Sequence, residues 1–216
     1  MAIEHFSYAL ANGSPAVIIT EGSTDILVLE ATMRARYPHL RSFIRFFDFG
    51  DGAEGSASAG IRTLKSFAAA GISNRVVLVL DNDSAARDAE RALRGAKLPD
   101  HYSVLHYPDL DLAKSYPTHG PDGLRMMDVN GLAGSIELYL GTDVLTQEDG
   151  ALSPVQWRSY IEGTRSYQGE VIDKARLRKK FLAKAKAAEA DPKAMDAQDW
   201  SGLEAIINLI VEDLRK

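Results

Sequence analysis

The chain has 216 residues, is 45% hydrophobic, and carries 25 basic against 30 acidic residues for a formal net charge of -5. That length supports one substantial core with at most a small appendage. The acidic balance excludes a protein that is basic overall, as a nucleic-acid coat is, while leaving room for a local basic face. There is no cysteine, which rules out disulfides and cysteine zinc sites and agrees with a reducing, cytoplasmic setting. The opening MAIEHFSYALANGSP lacks the basic start and long apolar run of a secretory signal, and no segment reaches the roughly 18 apolar residues of a membrane helix.

AVIIT (16–20) predicts a first strand, and ILVLEATMRARY carries helical periodicity up to the stop at Pro38. FIRFFDFG (43–50) predicts a second strand, followed by the small-residue loop GDGAEGSASAG. IRTLKSFAAA reads as a helix closed by Gly71, RVVLVLD (75–81) as a third strand, SAARDAERALRG as a helix closed by Gly95, and HYSVLHYP (101–108) as a fourth strand. DLDLAKSYPTHGPDG has the turn residues of a long loop, and NGLAGSIELYLG (130–141) predicts a short helix. From about Glu170, VIDKARLRKKFLAKAKAAEA predicts a long basic helix broken at Asp191-Pro192, and SGLEAIINLIVEDLRK a final amphipathic one. The expected division is an α/β core over residues 1–125 and a helical C-terminal extension over 126–216.

Alternating strands and helices with nearly continuous apolar strands predict a parallel sheet covered by helices on both faces, with right-handed crossovers. In such sheets reactive groups gather at the carboxyl ends of the strands. Glu21 follows the first strand, and Asp81 and Asp83 follow the third. Like charges held that close repel and lose hydration, so a fold tolerates them most easily around a cation. Asp81 and Asp83, two residues apart on an extended strand end, point to one side.

Glu21-Gly22-Ser23-Thr24-Asp25 after a hydrophobic strand, and Asp81-Asn82-Asp83 after another about sixty residues on, resemble the Toprim domain. That domain is the metal-binding module of topoisomerases, bacterial primases and nucleases of the OLD (overcoming lysogenisation defect) type. The resemblance covers about residues 15–108. GSIELYLG adds a similarity to the OLD-type nucleases, in which Glu137 corresponds to a further acidic residue after the core. The arrangement also looks like the Toprim portion of bacterial defence proteins that pair this module with a HEPN-type partner. The chain is too short for the gate of a type IA topoisomerase, and without cysteines it lacks a primase zinc domain.

The resemblance implies a Toprim (Rossmann-like) fold and a Mg²⁺- or Mn²⁺-dependent endonuclease acting on DNA or RNA, in antiphage defence. It implies metal ligation by Glu21, Asp25, Asp81, Asp83 and Glu137, with Glu21 as general base or acid. Hard divalent cations prefer such oxygen ligands, and one or two of them supply a deprotonated water and neutralise charge at phosphorus. A catalytic cation over the phosphate is expected from Lys65, Arg62 or Lys114. The loop from Gly50 to Gly60 is a candidate phosphate cradle, and His106 and His119 are candidate proton shuttles. Arg178, Lys179 and Lys180 lie in a run of cations suited to a phosphate backbone. Each feature also has a plainer reading. Asp83 and Asp25 are good helix caps, Glu137 and the basic run suit a solvated helix face, the glycine loop suits a flexible connection, and lone histidines are usually structural. Expected partners are nucleic acid, a HEPN-type or other defence-system protein, and further copies of the chain, without a membrane. The competing functional reading is a non-catalytic module that binds a partner protein or nucleotide.

Overall fold

The computed structural model describes residues 14–50, 55–121 and 123–216. β1 (Ala16–Ile19) leads into α1 (Ser23–Arg36), which ends where Pro38 opens a 3-10 turn. β2 (Ile44–Phe46) precedes α2 (Ala57–Ala69), whose first turn is capped by the Ser56 Oγ accepting from the Ala59 N–H at 3.2 Å. β3 (Val76–Leu80), β4 (Asn82–Asp83), α3 (Ser84–Glu90) and β5 (Tyr102–His106) follow. β2, β1, β3 and β5 lie in that order in one sheet, and every pairing is parallel.

Alternation along β3 divides the interior. Val77 and Val79 face one side with Ile18 and the apolar stripes of α1 and two C-terminal helices. Val76, Leu78 and Leu80 face the other side with Ile61 and Leu64 of α2 and Ala86 of α3. The α2 backbone comes so close to this face that a Cβ on Gly60 would lie 2.8 Å from Leu78 Cδ1. The expected parallel sheet flanked by helices on both faces is therefore the observed one.

The second half departs from expectation. The segment expected to be a loop forms a 3-10 turn (Leu112–Ser115) and a hairpin of β6 (Tyr116–Gly120) and β7 (Gly123–Met127). β8 (Ala133–Gly134) pairs antiparallel with β4. The helix expected over 130–141 is one 3-10 turn, Ile136–Tyr139, followed by the short α4 (Thr142–Leu145). β9 (Val155–Ile161) and β10 (Ser166–Val171) complete a second sheet in the order β10-β9-β6-β7.

The basic helix α5 (Lys174–Ala190) starts four residues later than expected, because Glu170 and Val171 belong to β10. α6 (Pro192–Asp196) and α7 (Ser201–Leu214) close the chain. An extension made only of helices is thus corrected, and a boundary at residue 125 falls inside β7. Val155 and Val171 of the second sheet share one core cluster with Ile18, Phe181 and Ile206, so hydrophobic burial runs across that boundary. No helix among the described residues is long and apolar enough to cross a membrane.

Candidate functional site

The carboxyl ends of β1 and β3 are neighbours, and this brings Glu21 against Asp81: Glu21 Oε1 accepts from the Asp81 N–H at 2.8 Å. Glu21 also accepts from the Ala57 N–H at the start of α2. The turn is crowded, since a Cβ on Gly55 would sit 2.1 Å from the Glu21 carbonyl oxygen. Only glycine lets the end of the small-residue loop press onto Glu21. Residues 51–54 of the expected phosphate cradle lie outside the described residues.

Asp25, buried on the first turn of α1, accepts from the Tyr107 hydroxyl at 2.7 Å and from the Gly22 N–H. The second contact is the acid half of a capping box, so Asp25 does serve the helix end while facing the cluster. Asp83 likewise caps α3, accepting from the Ala86 N–H at 2.8 Å, and its other oxygen accepts from Gln168 Nε2 of β10 at 2.9 Å. Asp81 differs from both. Its Oδ1 is sealed from solvent and has no hydrogen-bond partner, an arrangement that costs the desolvation of an acceptor with nothing in return. Glu137 is buried on the 3-10 turn after β8 and accepts from the Ser135 hydroxyl at 2.8 Å.

Five carboxylates from three stretches of the chain, 21–25, 81–83 and 137, therefore line a common cleft. Burial, then Asp83 and Asp25, push Glu21 up to about 7. Burial and then Glu137 push Asp25 up to about 6. Asp81 is held well above the usual range by burial and then by Glu21, Asp25, Asp83 and Glu137. Asp83 is raised chiefly by burial.

The cation among them is Lys174, the first residue of α5. Its Nζ lies 3.1 Å from Glu170 Oε2 and 3.8 Å from Glu137 Oε2. Burial alone would lower the Lys174 pKa, but Glu137, Glu170 and Asp81 outweigh it and raise it. The cleft has two lobes that meet at Glu21, Gly55, Asp81, Ser135 and Lys174: one of about 340 Å³ towards Asp25 and Glu137, and one of about 280 Å³ towards Asp83 and Gln168.

No family model matches the chain, and no curated protein or solved structure matches it. Its site is accordingly read from its own geometry. The donor set is all oxygen, which suits a hard divalent cation. Among the described residues, no group of three or more His, Asp or Glu side chains is already disposed to hold a metal ion. Glu21, Asp25 and Asp83 each turn an oxygen onto an N–H or O–H donor of the protein.

The other expected residues lie elsewhere. Lys65 donates to the Ala92 carbonyl at 2.6 Å, and Lys114 is tied to Asp111 at 2.6 Å on the surface. Neither lines the acidic cleft, nor does Arg62, so Lys174 replaces them as the candidate cation. His106 is structural: its ring bridges the Asp81 carbonyl at 2.9 Å and Glu90 Oε2 at 3.0 Å. His119 is exposed on β6. Of the basic run, Arg178, Lys179 and Lys180 are exposed, with Arg178 Nη1 3.4 Å from Thr24 Oγ1 at the cleft rim and Lys180 bonded to the Thr146 carbonyl at 2.8 Å. Lys184 is buried, donating to the Leu140 carbonyl at 2.9 Å and Asp143 Oδ1 at 2.8 Å, so it leaves the basic face.

Sequence reasoning missed Ser135, Gln168, Glu170 and Tyr107, and took Lys174 for one of a run. A signal for Lys174 was available. A helix N-terminus disfavours a cation by its dipole, and α5 has no acid in its first turn. Its preceding residue, Asp173, adopts a left-handed φ of 59° and makes no side-chain cap. Local preferences are broken together where the chain delivers an ammonium into an acidic cleft.

Proposed function

We propose that this protein is a Toprim-type nuclease that hydrolyses DNA or RNA phosphodiester bonds with Mg²⁺ or Mn²⁺, in antiphage defence. The observation that carries the reading is the partnerless, solvent-sealed Oδ1 of Asp81 among four further carboxylates at the strand ends. A fold does not stabilise itself that way, and a hard dication is the ligand that converts the arrangement from costly to favourable. Asp81 and Glu21 would hold the ion, with Asp83 and Glu137 beside them and Asp25 orienting the Glu21 turn. When bound, the ion supplies a deprotonated water and neutralises charge developing at phosphorus. Glu21, raised to about 7 by burial and the neighbouring acids, would regain its charge as the dication joins the cluster. Lys174 presents its ammonium to the phosphate in a partly desolvated cleft, where one such contact is worth roughly 10²–10³ in rate. The exposed Arg178 and Lys179 on α5 guide the polymer backbone to the rim.

The test is cleavage of plasmid and single-stranded RNA by the parent, Glu21→Ala, Asp81→Ala and Lys174→Met. Cleavage is expected only with magnesium or manganese, abolished in the first two variants and slowed roughly 10²-fold or more in the third. Equal activity of parent and Asp81→Ala, or no cut polynucleotide with either ion, refutes the reading. A second reading is favoured by the carboxylates being turned onto protein donors rather than already disposed round an ion. Under it the module binds a partner protein or nucleotide without cleavage, and both alanine variants retain that binding.

A further inference from the structure

Glu170 divides its carboxylate. Oε1 is taken by Arg158 Nε from the neighbouring strand β9, and Oε2 by Lys174 Nζ at 3.1 Å. The Lys174 ammonium is thereby kept 3.8 Å from Glu137 Oε2, an ion pair too long for a hydrogen bond. Glu137 meanwhile accepts from the Ser135 hydroxyl through that same oxygen at 2.8 Å. The strand that carries Glu170 is shaped for this. The register of β10 against β9 shifts between Gln168 and Gly169, and a Cβ on Gly169 would lie 2.5 Å from Val155 Cγ1. Such bulges re-aim side chains beside functional sites. Here one arm of the bulged strand sends Gln168 to Asp83 and the next sends Glu170 to Lys174.

We propose that Glu170, fixed by Arg158, is a positioning residue that holds the Lys174 ammonium at the edge of the acid cluster and keeps it from closing onto the carboxylates that take the dication. Among the described residues, Glu170 is the one carboxylate outside the cluster that pairs with Lys174. Its remaining electrostatic partners, Glu137, Asp83 and Asp81, are the ion's own candidate ligands. Released from Glu170, the flexible lysine moves onto them, because an ammonium is held best where several carboxylates converge. It then competes with the metal as an internal cation. The inference rests on the metal-dependent reading of the site, and deepens it by separating the site's two positive charges.

The experiment is manganese binding to the full chain without nucleic acid, followed by the paramagnetic resonance of free Mn²⁺. It uses the parent, Glu170→Gln, Lys174→Gln and the double variant. Gln keeps the size of Glu170, and melting curves of the same samples report folding. Glu170→Gln is expected to weaken manganese binding about tenfold, the scale of one charge-assisted hydrogen bond made by the competing ammonium. In the Lys174→Gln background the same change is expected to alter affinity by less than about twofold, a non-additivity that coupled residues produce and independent sites do not. An equal loss in both backgrounds makes Glu170 a plain distant charge and overturns the positioning role, as does parental affinity in Glu170→Gln. If the parent binds no manganese, the metal reading falls and this inference falls with it.

Discussion

Asp81→Asn removes one ionisable acid from the centre of the cluster and almost nothing else. In the parent, Asp81 Oδ1 is buried without a partner, and four other carboxylates oppose its ionisation. An unsatisfied buried acceptor costs about 1–3 kcal/mol. The amide that replaces it relieves the repulsion and offers an N–H to the neighbouring acids. The variant is therefore expected to be more stable than the parent by about 1–3 kcal/mol in chelator at about pH 8. For a chain of 216 residues each kcal/mol moves the midpoint by roughly 2–4 °C, so Tm should rise by about 2–12 °C. Excess magnesium should reverse the order. A ligand at about a thousand times its Kd stabilises the parent by about 4.1 kcal/mol, more than the variant's advantage in chelator, and a variant without the central ligand is stabilised little. Circular-dichroism melts of both proteins in chelator and in magnesium measure all four values. If Asp81→Asn melts below the parent in chelator, the carboxylate is part of the fold's own stabilisation and the reasoning for a metal fails.

Two further outcomes follow from the same cluster and from the buried lysine behind it. Glu21 is raised from 4.5 to about 7 and Asp25 from 3.8 to about 6, so the folded state binds these protons more tightly than the unfolded state. Stability from them is complete below about pH 4 and is lost as pH climbs through about 7, with one such group worth about 3 kcal/mol at most. The two are coupled and do not sum. In chelator Tm should fall between about pH 5 and 7.5, less steeply in Glu21→Gln, and a Tm that climbs across that window contradicts the assignment. Lys184→Met tests the buried lysine, which also donates to the Asp199 carbonyl and lies 4.7 Å from the Trp200 ring centroid. Two carbonyls and Asp143 lose their donor together, so stability should drop by about 2–4 kcal/mol, read as a Tm about 5–15 °C lower. An unchanged Tm shows that Lys184 belongs to the solvated basic face after all.

The first half of the chain is legible because its signals are local. AVIIT and RVVLVLD are buried on both sides, as continuous apolar runs should be, and Pro38 and Gly71 stop their helices where stop signals predict. The second half is carried by strands that do not look like strands. β6 contains Pro117 and ends in Gly120, β7 exposes Leu124 at 69% and Met126 at 60%, and β8 is two small residues held by pairing with β4. Their register is set by tertiary partners, which a window along the sequence does not contain. β9 is no exception, since only Val155 of it is buried and Arg158, Ser159 and Tyr160 are all exposed, without alternation.

The site divides the same way. Carboxylates at strand ends are found from sequence because a parallel sheet fixes where strand ends go, which places Glu21 and Asp81 before any coordinates. Cations are not found so, because a lysine's charge can be neutralised within any radius its stem can reach. Seven cations in a run without an intervening acid suggest one polyanion-binding face. In the fold they face different partners: Lys174 faces Glu137, Arg176 donates to the Ser153 hydroxyl at 2.6 Å, Lys180 caps a carbonyl and Lys184 is buried. What distinguishes Lys174 is its place, the first residue of a helix with no acid in its first turn, directly behind a left-handed Asp173. A cation is electrostatically misplaced at such a position unless something negative lies ahead of the helix. The five acids ahead of α5 are what it faces, and a charge placed against its own helix dipole points more sharply to a site than the exposed cations farther along α5.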